Sequence, residues 1–513
     1  MGTSKLPIGI DLGTTNCCIA ILIDDKPETI QASDSSTTYP SFVQYDQDSD
    51  NIITGHYAKL NADSLPKNTI NGFKRLMGIY YQDDIIQQCL SKKYFTYDIV
   101  NKDGYPRIKV QYDSKEQFLF PQQVSAHLLE SLMKSASRCE DADSKIGVIG
   151  VPAHFNMLQR KAVKDCAEIA GFEILALINE PTAAAIYCGA YDDMKNGQCK
   201  TIVVIDLGGG TFDITVMELE IQENNKRILK VKSSIGDLFL GGDDFTQSMV
   251  EHVYSQSNLD PNDDELRVTI RTKCEVTKHV LSKNKDNNIM SKVRIGKIEV
   301  GFSLKSFKEL TSELTKKCSN LMKKALVESK LKLDQIGEVI VIGGASQMPC
   351  FKTEVKNVFV EKNIFWNKNP DYAVALGLGM YASMLNKKAT SPIEEVLLKE
   401  QTTMNLGVGL KEKVTDEEEM TVAIQKGAIP PTENSVECTT IEDNDTHISL
   451  PVYAGNFPLT KDNVFLGELE VKDIPEGQKA DIPLIKVTFD FKTVDELIVT
   501  ALDITNYANG ILN

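Results

Sequence analysis

The chain has 513 residues, 42% of them hydrophobic and 25% charged, which suits a globular protein with room for about three domain-sized units. Its formal net charge of −16 disfavours nucleic acid or an anionic membrane as the main partner, because their phosphates would be repelled. The cysteines form no CxxC pair and the histidines have no metal-ligand spacing, so we expect reduced thiols and no zinc. No leader peptide, myristoylation signal or membrane-spanning run is visible in the sequence.

The first predicted element belongs to a motif that occurs twice, at Ile8 to Thr15 and again at Val204 to Thr211. In each copy an apolar run ends in an aspartate, Asp11 or Asp206, and a Gly/Thr turn leads into a second apolar run. The pattern predicts two β-hairpins, each with a carboxylate at its tip. One copy alone would be only a tight turn, but two facing hairpins would bind a polyphosphate, with both aspartates oriented toward Mg²⁺ through its water shell.

Helical periodicity and further glycines follow along the chain. Apolar residues at three-to-four spacing predict one helix over Pro121 to Cys139 and one or two helices over Ser306 to Lys330. A third glycine turn follows the apolar run at Val339 to Ser346. No GxxxxGK[ST] string occurs, and no GxGxxG opens a βαβ unit, which argues against a P-loop or dinucleotide fold. Alternating strands and helices up to about Lys388 predict an α/β region.

The pattern changes after Lys388. A polar break at 387–392 precedes Glu394 to Glu400, where apolar Val396, Leu397 and Leu398 lie among charges. This segment either docks on a surface in some state or is a short helix or edge strand. From Met404 onward, short alternating runs predict an all-β sandwich of about 110 residues, with strands at Thr421 to Gln425, Val436 to Ile441, His447 to Tyr453, Lys486 to Phe491 and Leu497 to Leu502. Asp416 to Glu419 is expected to be a solvated loop.

Several strings together resemble the 70-kilodalton heat-shock chaperone family across almost the whole chain. They are Ile8 to Thr15, Asn68 to Arg75, Val151 to Asn156, Ile178 to Ala185, Val204 to Asp213 and Leu240 to Phe245. The resemblance implies an actin-like, ribonuclease-H-like duplicated ATPase domain of two lobes over residues 1–388, then a linker over 389–401. A small all-β sandwich domain would occupy 402–513, with no helical lid after it to trap a peptide.

The resemblance also implies site residues. The catalytic set would be Asp11, Lys74, Glu180, Asp206 and Thr211, with Lys74 holding the attacking water and Asp11 and Asp206 at the Mg²⁺ water shell. Phosphoryl transfer needs such charge neutralisation and water positioning more than a strong nucleophile. The nucleotide would be bound by Gly13, Thr14, Thr15, Gly208, Gly209, Gly210, Gly241, Gly242, Glu275, Lys278, Ser282, Gly343, Gly344, Ser346 and Asp371.

Two further pairs of residues match family positions. Pro152 and Arg160 would relay the nucleotide state to the linker. Ile448 and Leu450 would line the peptide pocket, although both equally fit an ordinary sandwich core.

The chain departs from the family pattern at several places. His279 and Gln347 stand where two arginines normally sandwich the adenine, so cation–π stacking is weakened. Ala176 replaces an arginine that usually contacts J-domain co-chaperones, and the apolar core of the linker ends in Lys399. A Met-Gly-Gly loop that arches over the peptide is missing, and the charged stretch Lys411 to Glu419 lies in that region.

The resemblance implies a cytoplasmic, or cytoplasmic and nuclear, ATP-dependent chaperone. It would use ATP/ADP and Mg²⁺ in slow hydrolysis and bind unfolded or nascent polypeptides, with a J-domain co-chaperone and a nucleotide exchange factor as further partners. The alternative is an atypical co-chaperone that binds nucleotide and tethers or regulates a J-protein or ribosome-associated partner. A sugar or glycerol kinase of the same superfamily ranks third, because the Asn179 to Ala185 string and the C-terminal sandwich belong to chaperones.

Overall fold

The computed structural model describes residues 5–32, 34–284, 290–386, 396–411, 417–472, 474–475, 479–480 and 482–505. The chain divides into two compact units. The larger comprises Met1–His154, Gln159–Leu229 and Ser233–Leu397, and the smaller comprises Phe155–Leu158, Lys230–Lys232 and Leu398–Asn513. The domain boundaries expected from the resemblance stay a prediction.

The first part of the larger unit alternates short strands with helices. In chain order these are β1 Leu6–Asp11, β2 Asn16–Ile23, β3 Lys26–Ile30, β4 Tyr39–Pro40, β5 Phe42–Tyr45, β6 Ile52–Thr54, α1 Gly55–Leu60, β7 Thr69–Asn71, α2 Asp84–Ser91, β8 Asp98–Lys102, β9 Tyr105–Tyr112, β10 Lys115–Leu119, α3 Pro121–Ala136, β11 Ala142–Val151, α4 Met157–Ala170, β12 Glu173–Asn179 and α5 Glu180–Tyr187.

The second part repeats the alternation with longer helices. Its elements are β13 Cys199–Leu207, β14 Phe212–Ile221, β15 Arg227–Asp237, α6 Gly242–Ser255, α7 Asp264–Lys283, β16 Met290–Ile295, β17 Ile298–Ser303, α8 Leu304–Leu310, α9 Ser312–Glu328, β18 Glu338–Ile342, α10 Pro349–Val358, β19 Ile364–Trp366, α11 Ala373–Leu385 and β20 Val396–Lys399. Short 3₁₀ turns at Phe73–Leu76 and Gly344–Gln347 lie beside the candidate site described below.

Two sheets of the larger unit have the same topology. Apart from one further strand in each sheet, β4 and β20, their strand orders are β12-β11-β1-β2-β3 and β19-β18-β13-β14-β15. In each sheet the motif strand pairs antiparallel with the strand after it and parallel with a later one, β1 with β11 and β13 with β18. Their central residues are buried on both faces, as near-continuous apolar strands require. The repeated motif therefore marks a repeated sheet.

The second sheet is covered by apolar side chains from helices. Val203, Ile205 and Leu207 of β13 share one core with Phe245 of α6 and Phe351 of α10. This packing fixes the ends of β13 and β14, where the second Gly/Thr turn lies. A helix also packs on the first sheet: Ala375 and Leu376 of α11 contact Cys18 and Ala20 of β2.

The smaller unit contains two antiparallel sheets around a common apolar core. Its strands are β21 Asn405–Lys411, β22 Glu418–Ile424, β23 Thr432–Cys438, β24 Ile448–Gly455, β25 Val464–Val471, β26 Ile485–Thr493 and β27 Glu496–Asp503. The sheet orders are β22-β21-β24-β25 and β23-β26-β27. Alternate residues such as Val408, Leu450, Val487 and Phe489 fill the core between them, as sequence alternation predicts.

Several element predictions are confirmed and one is partly wrong. The helix at Pro121 is present, and the region predicted as one or two helices over Ser306 to Lys330 forms two, the first of which begins earlier, at Leu304. Val396–Lys399 is a strand rather than a helix. The linker residues 389–395 and the charged residues 412–416 lie outside the described ranges. The loop predicted over Asp416 to Glu419 fails at its end, because Glu418 and Glu419 already pair with Lys411 and Leu410 in β22.

All the cysteines are free thiols and most are buried, as expected. Within the described residues no helix is both long and apolar enough to cross a bilayer.

Candidate functional site

The two Gly/Thr turns and the third glycine turn meet at one small cavity in the larger unit. Its volume is about 80 Å³. The predicted catalytic residues all line it, together with most of the predicted phosphate contacts. The lining comprises Asp11, Gly13, Thr14, Thr15, Asn16, Lys74, Glu180, Asp206, Gly208, Gly209, Gly210, Thr211, Gly343, Gly344, Pro370, Asp371 and Val374. Segments more than 350 residues apart in sequence thus converge here, from Asp11 to Asp371.

The two hairpin turns touch through glycine. A Cβ atom on Gly209 would lie 2.0 Å from Thr15 Oγ1, and one on Gly210 would lie 2.4 Å from Thr14 Cγ2. No side chain fits at either position while the first turn carries threonines. The second turn therefore needs glycine for close approach, and its backbone lies open to the cavity.

The cavity holds several buried carboxylates, and both their burial and their mutual repulsion oppose ionisation. Burial raises the pKa of Asp11 to about 7, with the negative charge of Glu180 as the next cause. Burial also raises the pKa of Asp206 well above its ordinary value, followed by the charges of Glu180, Asp213 and Asp11. A divalent cation would restore ionisation of both groups. These residues therefore fit a hydrated Mg²⁺, which is commonly held by one or two carboxylates and several waters.

Lys74 is the cation of the cavity. It lies in the 3₁₀ turn Phe73–Leu76 after β7, and its Nζ is 2.7 Å from Glu180 Oε1. Both side chains are more than nine-tenths buried. Burial lowers the pKa of Lys74, but the charges of Glu180 and Asp11 outweigh this and raise it. The ammonium is thus charged, fixed in position and directed into the cavity.

The neighbouring residue Arg75 anchors this turn to the second hairpin. Its Nη2 donates to the carbonyl oxygen of Gly210 at 2.7 Å and to Asp244 Oδ2 at 2.9 Å. The guanidinium carbon lies 4.4 Å from the Phe239 ring centroid and 4.8 Å from that of Tyr94. Sequence reasoning missed this residue, because an arginine beside a lysine gives no signal of a distant partner.

The predicted ribose and base residues adjoin the second turn through α6. The amide of Gly242 donates to the Gly208 carbonyl oxygen at 3.0 Å, and Lys278 Nζ donates to the Gly242 carbonyl oxygen at 2.6 Å. Gly241 precedes the helix as its N-cap. Ser282 Oγ donates to the Lys278 carbonyl oxygen at 2.8 Å, so Gly241, Gly242, Lys278 and Ser282 form one connected group.

Glu275 and Ser346 lie apart from that group. Glu275 lines an adjoining cavity of about 320 Å³, which shares Thr14 and Thr15 with the smaller cavity. It also pairs with Lys59 at 3.2 Å. Ser346 is buried in the turn Gly344–Gln347. Most of the predicted nucleotide residues thus line one of the two cavities. Gly241, Gly242, Lys278 and Ser282 line neither and are connected to the second turn through Gly208, and Ser346 is buried within the third glycine turn.

The residues that replace the adenine-stacking arginines are placed differently from each other. His279 has 63% of its side chain exposed, and its Nε2 lies 4.0 Å from Glu275 Oε1. Gln347 accepts a hydrogen bond from Lys352 Nζ at 2.8 Å. Lys352 in turn lies 5.5 Å from the Trp366 ring centroid. The residue that replaces one of the two arginines is therefore hydrogen-bonded to a cation, Lys352.

The predicted relay and peptide-pocket residues are also located. Arg160 is buried and its Nη2 donates to Asn179, the residue before Glu180. Pro152 directly follows β11 and is buried. Leu450 is 1% exposed within the smaller unit's core, and Ile448 is partly buried against that core. This placement favours the core interpretation of Leu450.

Asp243 is a site residue that sequence reasoning quoted but did not use. Its Oδ2 accepts a hydrogen bond from Thr15 Oγ1 at 2.9 Å, so it links the N-terminus of α6 to the first hairpin turn. Burial alone would raise the pKa of Asp243, but the positive charges of Arg271, Lys278 and Arg75 outweigh burial. The pKa is therefore lowered and the carboxylate is ionised. The Gly-Gly-Asp-Asp string was the available signal, since consecutive aspartates opening a helix suit an N-terminus.

Known proteins resemble this chain over almost its whole length. The sequence model of the Hsp70 protein family matches residues 7–508. The chain is similar to "Heat shock 70 kDa protein 2" of Paracoccidioides lutzii, with 33% identity over 505 residues that cover 97% of this chain and 74% of that protein. It is also similar to "Heat shock 70 kDa protein" of Neurospora crassa, with 32% identity over 505 residues, 97% of this chain and 75% of that protein. The chain therefore belongs to the Hsp70 family of ATP-binding chaperones.

Proposed function

We propose that the protein is a slow Mg²⁺-dependent ATPase that uses hydrolysis to control its binding of unfolded polypeptides. The observation that carries this proposal is the small cavity, where two hairpin turns, two carboxylates and the buried Lys74–Glu180 pair converge. The larger unit would be the duplicated two-lobed actin-like domain, and the smaller unit the sandwich substrate domain. Family membership supports both assignments.

The proposed roles follow from charge and position. The amides of the glycine turns and the hydroxyls of Thr14, Thr15 and Thr211 would bind the β- and γ-phosphates. Asp11 and Asp206 would hold the metal through water, and the metal would supply charge neutralisation at the transferring phosphoryl group. Lys74 would position the attacking water beside the γ-phosphate.

Glu180 is the residue through which hydrolysis could reach the rest of the chain. It holds Lys74, and it directly follows Asn179, which Arg160 contacts. A movement of the water or the γ-phosphate would shift Glu180, and this shift would reach Arg160 through Asn179. We assign Arg160 and Pro152 to this relay. Unfolded polypeptide, a J-domain co-chaperone and a nucleotide exchange factor are the proposed partners, and the cytoplasm is the proposed location.

A second candidate function keeps nucleotide binding but not client folding. Ala176 lies in β12, where the resemblance expects an arginine for J-domain contact, and Gln347 is held by Lys352 instead of stacking as an arginine would. These differences favour a regulatory co-chaperone that tethers one partner.

One pulldown separates the two functions. The full chain and its Lys74→Met variant are immobilised and exposed to native lysate with ATP or with ADP. A mixture of many polypeptides that ATP releases from the wild type supports the chaperone. A single stoichiometric partner that stays bound in both nucleotides supports the co-chaperone. Absence of ATP-dependent release together with absence of single-turnover hydrolysis contradicts the proposed ATPase.

A further inference from the structure

The strand β27, Glu496–Asp503, lies at the edge of a sheet in the smaller unit. The order of that sheet is β23-β26-β27, and among the strands that the structure describes β27 pairs with β26 alone. An edge strand presents a row of backbone N–H and C=O groups with which another strand can pair. The outer edge of β27 therefore has the backbone groups needed to add a strand.

The other three edge strands of the smaller unit have features that oppose such pairing. β22 begins with Glu418 and Glu419, and β23 and β25 each carry two glutamates. The carbonyl oxygen of Pro458 also accepts a hydrogen bond from the Met420 amide at 2.8 Å, which covers part of β22. β27 is charged only at its two ends, and residues 497–502 between them are uncharged and include no proline. β27 thus lacks the charges and prolines that normally block pairing at an edge.

β27 also exposes apolar side chains on the outer face of its sheet. Ile498 is 38% exposed and Leu502 is 61% exposed. Their direct neighbours across the sheet, Asp490 and Lys486 of β26, are charged. The apolar surface of this face is therefore concentrated on the strand whose edge is free.

The core of the smaller unit is incompletely covered at the same edge. Val487 and Phe489 of β26 are fully buried. Leu497, Val499 and Ala501, which face the core from β27, are only partly buried against it. A further strand beside β27 would shield these side chains as well as the backbone edge.

A second copy of β27 fits this edge in one antiparallel register. In a two-fold pairing the same surface is used by both copies. With Thr500 opposite Thr500 of the second copy, Ile498 lies opposite Leu502 of that copy, and Leu502 opposite its Ile498. Centring the axis on Val499 or on Ala501 would instead place Ile498 or Leu502, respectively, opposite Thr500. The register centred on Thr500 is thus the one that pairs the exposed apolar residues with each other.

The charges of β27 are compatible with this register. Glu496 lies opposite Ile504 of the second copy, and Asp503 lies opposite its Leu497, so these carboxylates do not face like charges directly. Asp503 approaches Asp495 of the second copy on the diagonal, at about 7 to 8 Å, where salt screens the repulsion in part. Direct like-charge pairs, which would destabilise the pairing, are therefore avoided.

We propose that the protein forms a weak homodimer through β27, in which the strands of two copies pair antiparallel about a two-fold axis at Thr500. The pairing satisfies the backbone groups of both edges, covers Ile498 and Leu502, and makes one continuous sheet from two. A contact of one strand is small beside a standard protein interface, so we expect a dissociation constant of about 10 to 100 µM. The dimer is independent of ATP hydrolysis.

Sedimentation velocity on the full chain, from about 2 to 300 µM, brackets that constant. We expect the wild type to change from monomer to dimer over this range. Thr500→Lys and Thr500→Glu each place two like charges opposite one another at the axis, and each should raise the dissociation constant about three- to tenfold at low salt. An equimolar mixture of these two variants places opposite charges there and should dimerise at least as well as the wild type.

The matched control is Thr421→Lys, which changes an exposed threonine on the edge strand β22 and should dimerise as the wild type does. A second variant, Ile498→Thr with Leu502→Thr, keeps β-branched residues in the strand but removes the apolar pairs on both sides of the axis. It should raise the dissociation constant by at least about tenfold. Recovery of the dimer in the mixture shows that both Thr500 variants are folded.

Four outcomes overturn the proposal. The wild type may stay monomeric at the highest concentration, or its dimer may be unaffected by Thr500→Lys, which places the contact elsewhere. The mixture may fail to recover the dimer, which contradicts the two-fold register. Dimers formed only by a chain shortened to end at Thr505 would assign the edge to residues 506–513. If the wild type is monomeric and Thr500→Lys instead abolishes its binding of an alkylated, permanently unfolded protein, the edge binds polypeptide and not a second copy.

Discussion

At the scale of single residues, the site is a balance of buried charges. Asp11, Glu180 and Asp206 line the small cavity with Lys74 as their neighbouring cation. Burying charge is expensive unless it is paired. The nucleotide-free protein therefore carries a cost at this place that a bound metal would offset, and variants that neutralise Asp11 or Asp206 should raise stability while they lower activity.

The Lys74–Glu180 pair gives the first prediction. Lys74→Met should abolish single-turnover hydrolysis, because a water-positioning cation acts mainly in the transition state. It should also destabilise the protein by about 3 to 5 kcal/mol, since Glu180 is left buried and unpaired. Adding Glu180→Gln should recover most of the stability and none of the hydrolysis. Denaturant unfolding and single-turnover assays measure both effects, and a hydrolysing double variant would refute the role of Lys74.

Asp11 gives a prediction on pH. Its pKa in the folded protein is raised to about 7, so the folded state binds more protons than the unfolded state between about pH 4 and 7, and stability falls as pH rises through that window. Asp11→Asn should remove this loss and raise the melting temperature of nucleotide-free protein at pH 8 by about 2 to 4 °C. Thermal unfolding at pH 5 and pH 8 checks this.

The exposed substitution Glu140→Gln serves as its control and should leave the pH dependence unchanged. The Asp11 variant should also lose most of the stabilisation that Mg-ATP gives the wild type. A melting temperature for Asp11→Asn that still falls between pH 5 and pH 8 as steeply as in the wild type would contradict the assignment.

At the scale of elements, α7 and the turn Gly344–Gln347 carry the departures from the adenine-stacking pattern. His279→Arg should tighten ATP binding, because an arginine face gains about 0.5 to 2 kcal/mol of cation–π contact. Gln347→Arg alone should increase the ATP affinity by less, since it places a second cation beside Lys352. Adding Lys352→Gln to that change should restore its full effect.

Calorimetric titration with Mg-ATP measures these affinities. Lys356→Gln on the same helix is the matched control, because Lys356 lies one turn further along α10 from Lys352. Unchanged dissociation constants in both arginine variants would contradict the expectation that the missing arginines weaken ATP binding.

The elements also show how far sequence alone reaches. The repeated motif predicted the two hairpins and placed Asp11 and Asp206 at their ends, since a Gly/Thr turn after a buried strand is a local signal. Lys74 and Glu180 were predicted from the family resemblance, and they also line the cavity. Arg75 was missed as a residue beside the site because its partner, Asp244, lies far along the chain. Glu418 and Glu419 were placed in a loop because charge suggested solvent, although an edge strand exposes charged side chains equally well.

At the scale of the whole molecule, two units should respond differently to nucleotide. The chain divides into a larger unit that holds the candidate site and a smaller unit with its own core. We expect two calorimetric unfolding transitions. Saturating Mg-ATP, at about 100 times its dissociation constant, should stabilise only the larger unit's transition, by about 2.7 kcal/mol. A single transition, or an equal shift of both, would contradict independent stability of the units.

The contact between the two hairpin turns makes the repeated halves of the larger unit unlike and non-interchangeable. The turn of the first copy has larger side chains, Thr14 and Thr15, and the turn of the second has glycines, Gly209 and Gly210, that make room for them. Exchanging the Thr-Thr and Gly-Gly pairs between the two turns would keep one large and one small partner at this contact. Threonines in both turns would clash, and glycines in both turns would leave a gap. The symmetry of strand order in the two sheets thus does not extend to the site, where the two turns are complementary in size rather than alike.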